Sequence, residues 1–256
     1  MKKEYLLNDF LEGPFPIENY RKNLPYFLSL REKLDFEENL KTESNDWKYR
    51  TKEIRYDLNS SDYRTLEWKD IDWENSIAIF GCSHVFGEGL PVDETFCYQL
   101  QELSGRQVVN LGVTGSSTFF SWHNNIILHE NFPTPYAVVN VWTDWHRLAY
   151  YGDNFLKRIG PWSGTIWDEY DQDAKKLYYL WNNEALNPKY HFHFISTAAR
   201  LIWQNKTKYL HYSFVDDVCD FLNIERIEKL DQARDKIHYG YETNKILANK
   251  IWNDLK

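Results

Sequence analysis

Cysteine is scarce in this chain: three among 256 residues, Cys82, Cys97 and Cys219, with no Cys-x-x-Cys pair. Such an odd and widely spaced set excludes a disulfide framework, a zinc ribbon and a dithiol redox centre, and fits a reducing compartment. Basic charge is also short, with 30 Lys and Arg against 38 Asp and Glu and a formal charge of -8. Nucleic-acid and anionic-membrane surfaces need concentrated cations, so neither is an expected partner. No apolar run approaches the length of a membrane span. The N-terminal Met1-Lys2-Lys3-Glu4 meets acids before any long apolar stretch, which excludes a signal peptide and makes the cytoplasm the expected location. Without export, the glycosylation sequons at Asn59 and Asn205 have little meaning.

The glycines form no phosphate cradle either. Five residues rather than four separate Gly81 from Gly87, and Glu88 follows where a P-loop has lysine. Gly81, Gly87 and Gly89 also miss the Gly-x-Gly-x-x-Gly spacing of a dinucleotide fingerprint. His191-Phe192-His193 is the densest histidine group, and with His123, His129 and His146 scattered it lacks a third ligand at metal spacing. No metal or organic cofactor is expected.

What is present is material for a core. Hydrophobic residues make up 43% and aromatics 17%, enough for one sizeable α/β domain with additions. Residues 1–75 are charged and aromatic, with Pro14, Pro16 and Pro25 and no sustained period, and are expected to form an N-terminal extension packed on a core. Within them Asn19 to Leu40 reads as helical. Residues 76–256 alternate apolar runs with amphipathic stretches, the signature of a βαβ arrangement. Strands are expected at 76–80, 107–111, 136–142 and 208–212, with helices between Phe96 and Gly105 and over 118–129, 193–204 and 242–255. An aromatic-rich insertion at about 150–190, holding Trp162, Trp167 and Trp181, interrupts the alternation.

Chemistry concentrates where the first core strand ends. Ser76-Ile77-Ala78-Ile79-Phe80 runs into Gly81-Cys82-Ser83-His84, a small-residue turn carrying a hydroxyl at the sheet edge where open α/β sheets place ligands. A plain strand-to-helix turn is the bland reading. A serine becomes a nucleophile when an oriented base takes its proton. Asp235-Lys236-Ile237-His238 offers one, with a spacing that puts carboxylate and imidazole on one side of a helical or 3₁₀ turn. Its bland reading is a local solvated ion pair.

The order of these segments resembles the SGNH (GDSL-type) hydrolase family. Gly81-Cys82-Ser83 lies where that family has Gly-Asp-Ser, Gly112-Val113-Thr114-Gly115 follows the second strand, and Asp235 and His238 match the closing Asp-x-x-His. The resemblance implies a three-layer α/β/α sandwich with a mostly parallel, flavodoxin-like sheet. It also implies a catalytic set of Ser83, His238 and Asp235, with Gly115 as an oxyanion donor. Two positions depart from the pattern. Cys82 replaces the first-block aspartate, and Val141-Trp142-Thr143-Asp144 stands in place of Gly-x-Asn-Asp, leaving Thr143 to donate where an asparagine amide normally does.

His84, Trp142 and Asp144, next to the matched blocks, are candidate substrate-binding residues. So is Arg64, in Asn59-Ser60-Ser61-Asp62-Tyr63-Arg64, which looks like an element preceding the core in some members, although a clamp on the core is the simpler role. The implied activity is hydrolysis of small carboxylic esters, including O-acetyl groups on carbohydrate. Two alternatives stand: Cys82 as nucleophile, and a catalytically weak module that binds a carbohydrate or protein through its aromatic residues.

Overall fold

The computed structural model describes residues 27–28, 30–151, 156–161, 172–183 and 187–256. Pro14, Pro16, Pro25, Trp162 and Trp167 lie outside them. Of the helix expected over Asn19 to Leu40, residues 19–26 and 29 lie outside the described residues, and α1 spans Leu30–Thr42. The core then runs β1 (Ile77–Gly81), α2 (Ser83–Phe86), α3 (Phe96–Ser104), β2 (Val108–Gly112), α4 (Thr118–Asn131) and β3 (Ala137–Trp142). The antiparallel pair β4 (Leu148–Tyr151) and β5 (Leu156–Ile159) comes next, followed by α5 (Gln172–Trp181). The chain closes with α6 (Pro188–Trp203), β6 (Lys208–Ser213), α7 (Asp216–Leu222) and α8 (Tyr241–Leu255).

The main sheet has the order β2-β1-β3-β6 with every pairing parallel. Parallel strands need covering on both faces, and β1 accordingly is buried along its whole length. Alternation divides the core in two. Ile77 and Ile79 face Phe96, Leu100, Leu247 and Ile251 of α3 and α8, whereas Ala78 and Phe80 face Phe120, Ile127 and Trp203 of α4 and α6. The result is a three-layer α/β/α sandwich. Helix α3 is capped as its sequence suggests: the Thr95 side chain accepts the Tyr98 N–H, and Gly105, at φ 66°, ends it.

Helix α6 starts five residues earlier than its apolar pattern indicates, because Pro188 fits the first helical turn, where no N–H is needed. His191 and His193 therefore lie on a helix and point apart, against Trp181 and Phe221 respectively. Among the described residues no three metal-ligating side chains cluster, and no helix is long and apolar enough to cross a membrane.

Two glycines let α2 approach the sheet. A Cβ on Gly112 would overlap the Phe86 backbone nitrogen and come 2.7 Å from Val85 Cβ, and one on Gly81 would come 2.7 Å from the Val141 carbonyl. Gly112→Ala is expected to cost about 1–3 kcal/mol by forcing α2 off its seat. Urea denaturation measures this, and an unchanged midpoint with unchanged slope would contradict the packing argument.

Candidate active site

Ser83 sits at the first position of α2, immediately beyond the end of β1. The Cys82 carbonyl accepts the N–H groups of Val85 and Phe86, and the Ser83 carbonyl accepts those of Gly87 and Glu88, so this short helix is pinned at both ends. Asn110, buried on β2, adds a tie by donating from its amide to the Val85 carbonyl at 2.8 Å while accepting the Gly112 N–H. The Ser83 side chain is largely enclosed.

Ser83 Oγ lies 2.7 Å from His238 Nε2, and His238 Nδ1 lies 2.5 Å from Asp235 Oδ2. The Asp-x-x-His turn that provides this is not helical. Lys236 takes a left-handed φ of 58°, and the other Asp235 oxygen accepts the N–H groups of Ile237 and His238 at 3.0 Å each. A bridge between Gln232 and Tyr239 closes the loop. The carboxylate therefore shapes the turn and orients the imidazole at once.

Electrostatics follow from this enclosure. Burial alone would lower the His238 pKa, but the charge and hydrogen bond of Asp235, with Glu88 and Cys82 nearby, raise it to about 9. Burial would likewise raise Asp235, yet His238 and the two backbone N–H groups hold it below the usual carboxylate range. Glu88, between two left-handed glycines at φ 80° and 77°, is pushed by burial up to about 7. His84 stacks on Tyr239 and meets the His238 ring edge-on, both at 4.9 Å between centroids. Burial and the charges of His238 and Arg147 keep its pKa well below 6.5, so it braces the imidazole as a neutral ring.

Cys82 Sγ is 4.0 Å from Ser83 Oγ. Burial pushes its thiol up, but the Arg147 charge, the Thr143 hydroxyl and the His84 N–H together hold it below its ordinary value. Thr143, buried just after β3, lies close enough to act on that thiol. Gly115, at φ 65°, lies in a turn tied back to Gly81, whose carbonyl accepts from the Val113 N–H and the Ser116 hydroxyl.

The other candidates go elsewhere. Trp142 is in the core against Phe192, and Asp144 uses a carboxylate oxygen to accept the His146 N–H in the turn after β3. Arg64 is the clamp: its guanidinium donates to the carbonyls of Arg55, Phe86, Gly87 and Leu90 and stacks over Tyr56.

Sequence reasoning missed the residues that hold the His238 loop. Arg234, fully buried, pairs with Glu32 of α1 at 2.6 Å, and Glu32 also accepts from the Tyr56 hydroxyl at 2.6 Å and the Leu28 N–H at 2.7 Å. Phe27 and Phe36 flank the guanidinium, and the Asn39 amide donates to the Arg234 carbonyl. The one hint in the sequence was an arginine adjoining Asp235.

No protein-family model and no curated protein matches this chain. Among solved structures it is similar to a member of the lipolytic protein G-D-S-L family from Veillonella parvula, at 11% identity over 70% of this chain and 96% of that one, TM-score 0.42. A putative lipolytic protein of the G-D-S-L family from Desulfitobacterium hafniense aligns at 13% identity over 71% and 99%, TM-score 0.36. A putative GDSL-like lipase from Bacteroides uniformis aligns at 15% identity over 70% and 94%, TM-score 0.37. The likeness to this hydrolase group is distant.

Proposed function

We propose that the protein is a serine esterase. His238 takes the Ser83 proton as the hydroxyl attacks an ester carbonyl, and the N–H groups of Ser83 and Gly115 stabilise the tetrahedral oxyanion. The alcohol departs with the proton from His238, and water activated by the same imidazole hydrolyses the acyl-serine. Asp235 stabilises the imidazolium between these transfers. The Thr143 hydroxyl joins these oxyanion donors. Small carboxylic esters are the substrate class, with O-acetyl groups on carbohydrate a member of it.

The observation that supports this reading is the continuous Ser83–His238–Asp235 hydrogen-bond chain, at 2.7 and 2.5 Å. Its test is the pH dependence of kcat/KM for an aryl acetate between about pH 6 and pH 10, corrected for spontaneous hydrolysis. A general base works when neutral, so turnover should rise as pH passes toward about 9, where His238 loses its proton. Stability should run the other way. A raised folded pKa contributes stability fully below about 6.5 and loses it as pH rises through about 9. A rate plateau already complete below pH 6.5 would detach His238 from the rate. No turnover at any pH would leave the chain as a binding module on this fold.

A further inference from the structure

The arch Gly87-Glu88-Gly89 after α2 joins the two halves of the site. On one side the N–H groups of Gly87 and Glu88 donate to the Ser83 carbonyl, at 2.9 and 3.2 Å. On the other, the Gly89 carbonyl accepts the Arg234 N–H at 3.1 Å, and a Cβ on Gly89 would lie 3.3 Å from the Asp235 carboxyl carbon. Consecutive Cα atoms are about 3.8 Å apart, so the Glu88 side chain starts beside both Ser83 and Asp235.

Glu88 is half-buried, and among the described residues its carboxylate accepts no hydrogen bond and joins no ion pair. It does not bond to the imidazole, because Ser83 Oγ and Asp235 Oδ2 occupy both ring nitrogens of His238. What remains is charge. Facing Glu88 are His238 and Asp235 from the catalytic loop and Arg31 and Glu32 from α1. Glu32 is paired with Arg234, and Arg31 lies 3.6 Å from Asp35. Around His238 are Asp235, Glu88, Cys82, Asp35 and the neutral ring of His84, on which Arg147 and Lys229 also act. With the pairs on α1 largely cancelling, Asp235 and Glu88 are the two carboxylates whose charge is left for His238 to balance.

We propose that Glu88 is a positioning residue of the base: its unpaired negative charge, acting through His238, keeps a proton on the imidazole and limits how readily Ser83 is activated. An anionic neighbour favours the charged form of an imidazole, and two such groups titrate as a coupled pair. The Glu88 carboxyl, pushed up by burial to about 7, ionises first as pH rises, and the charge it then carries helps to hold the His238 proton toward about 9. Activity near neutrality is therefore lower than the Ser83–His238–Asp235 chain alone would give. This consequence for the rate rests on the esterase reading, whereas the coupling of the two groups does not.

Glu88→Gln keeps the shape of the side chain and removes its charge. In that variant the His238 imidazole resonances, assigned by their loss in His238→Gln, should titrate about one pH unit lower than in the wild type. Turnover of an aryl acetate at about pH 7.5 should rise about five- to tenfold, since a larger fraction of His238 is then free base. Structural damage would lower the rate instead. Glu88→Asp keeps the charge and should return both readouts toward the wild type. An unshifted His238 titration in Glu88→Gln, or an equal shift in Glu88→Asp, would overturn the proposal whatever the rates. A lowered titration in a protein without turnover would sustain the coupling of Glu88 to His238 and end the esterase reading alone.

Discussion

Ser83→Ala is expected to lower kcat for an aryl acetate by on the order of 10⁴-fold or more while leaving the unfolding midpoint nearly unchanged. The reason is geometric. Ser83 Oγ is the hydroxyl within 2.7 Å of His238 Nε2, and removing it leaves the base with nothing to activate except water. His238→Ala should cost about as much, and the double variant little more than either, because nucleophile and base act as one unit. Cys82→Ala provides the contrast. Its sulfur is 4.0 Å from the serine oxygen and outside the Ser83–His238–Asp235 chain, so its removal should spare turnover. A fluorophosphonate reagent should label Ser83 in the wild type and in Cys82→Ala, as read by mass spectrometry of the modified peptide. Turnover that survives Ser83→Ala and vanishes with Cys82→Ala would transfer the nucleophile to sulfur.

Glu32→Ala should destabilise the protein by about 3–5 kcal/mol, the cost of leaving a buried charge without its partner. Arg234 has no exposure with which to recover hydration, and Tyr56 loses the carboxylate that accepts its hydroxyl. Activity should fall as well. Arg234 directly precedes Asp235, its N–H is bonded to the Gly89 carbonyl, and Ala233 pairs with the His238 carbonyl, so a relaxed Arg234 displaces both members of the base pair. Misplacement by about 1 Å costs on the order of a hundredfold in rate. The paired replacement Glu32→Leu with Arg234→Met should recover most of the stability, since removing both charges leaves no unpaired ion. Guanidinium denaturation measures both, and a loss below about 1 kcal/mol for Glu32→Ala would show that water reaches this pair.

Glu32 of α1 thus reaches Arg234, 202 positions away and next to Asp235. Residues 1–75 read in the sequence as charged and aromatic without a sustained period, which singles out none of their charges. Glu32 looks like any helical glutamate until Arg234 is brought to it. In the same way Glu88 signalled by sequence that the turn was no P-loop, and the fold adds that its carboxylate acts on His238.

Apolar periodicity and caps determined the elements. Ser76 to Phe80 read as a buried strand, one residue ahead of the observed Ile77–Gly81, Thr95 and Gly105 read as the bounds of a helix, and the alternation of such pieces read as a layered α/β sheet, because these preferences are local and repeat along the chain. The motifs also determined which serine and histidine to compare. Long-range packing alone decided that they meet, that the Asp235 turn is left-handed at Lys236, and that Trp142 and Arg64 are buried. Those outcomes depend on which side chains share a buried space and which polar atoms must be satisfied there. One sequence position carries no record of its partners across the fold.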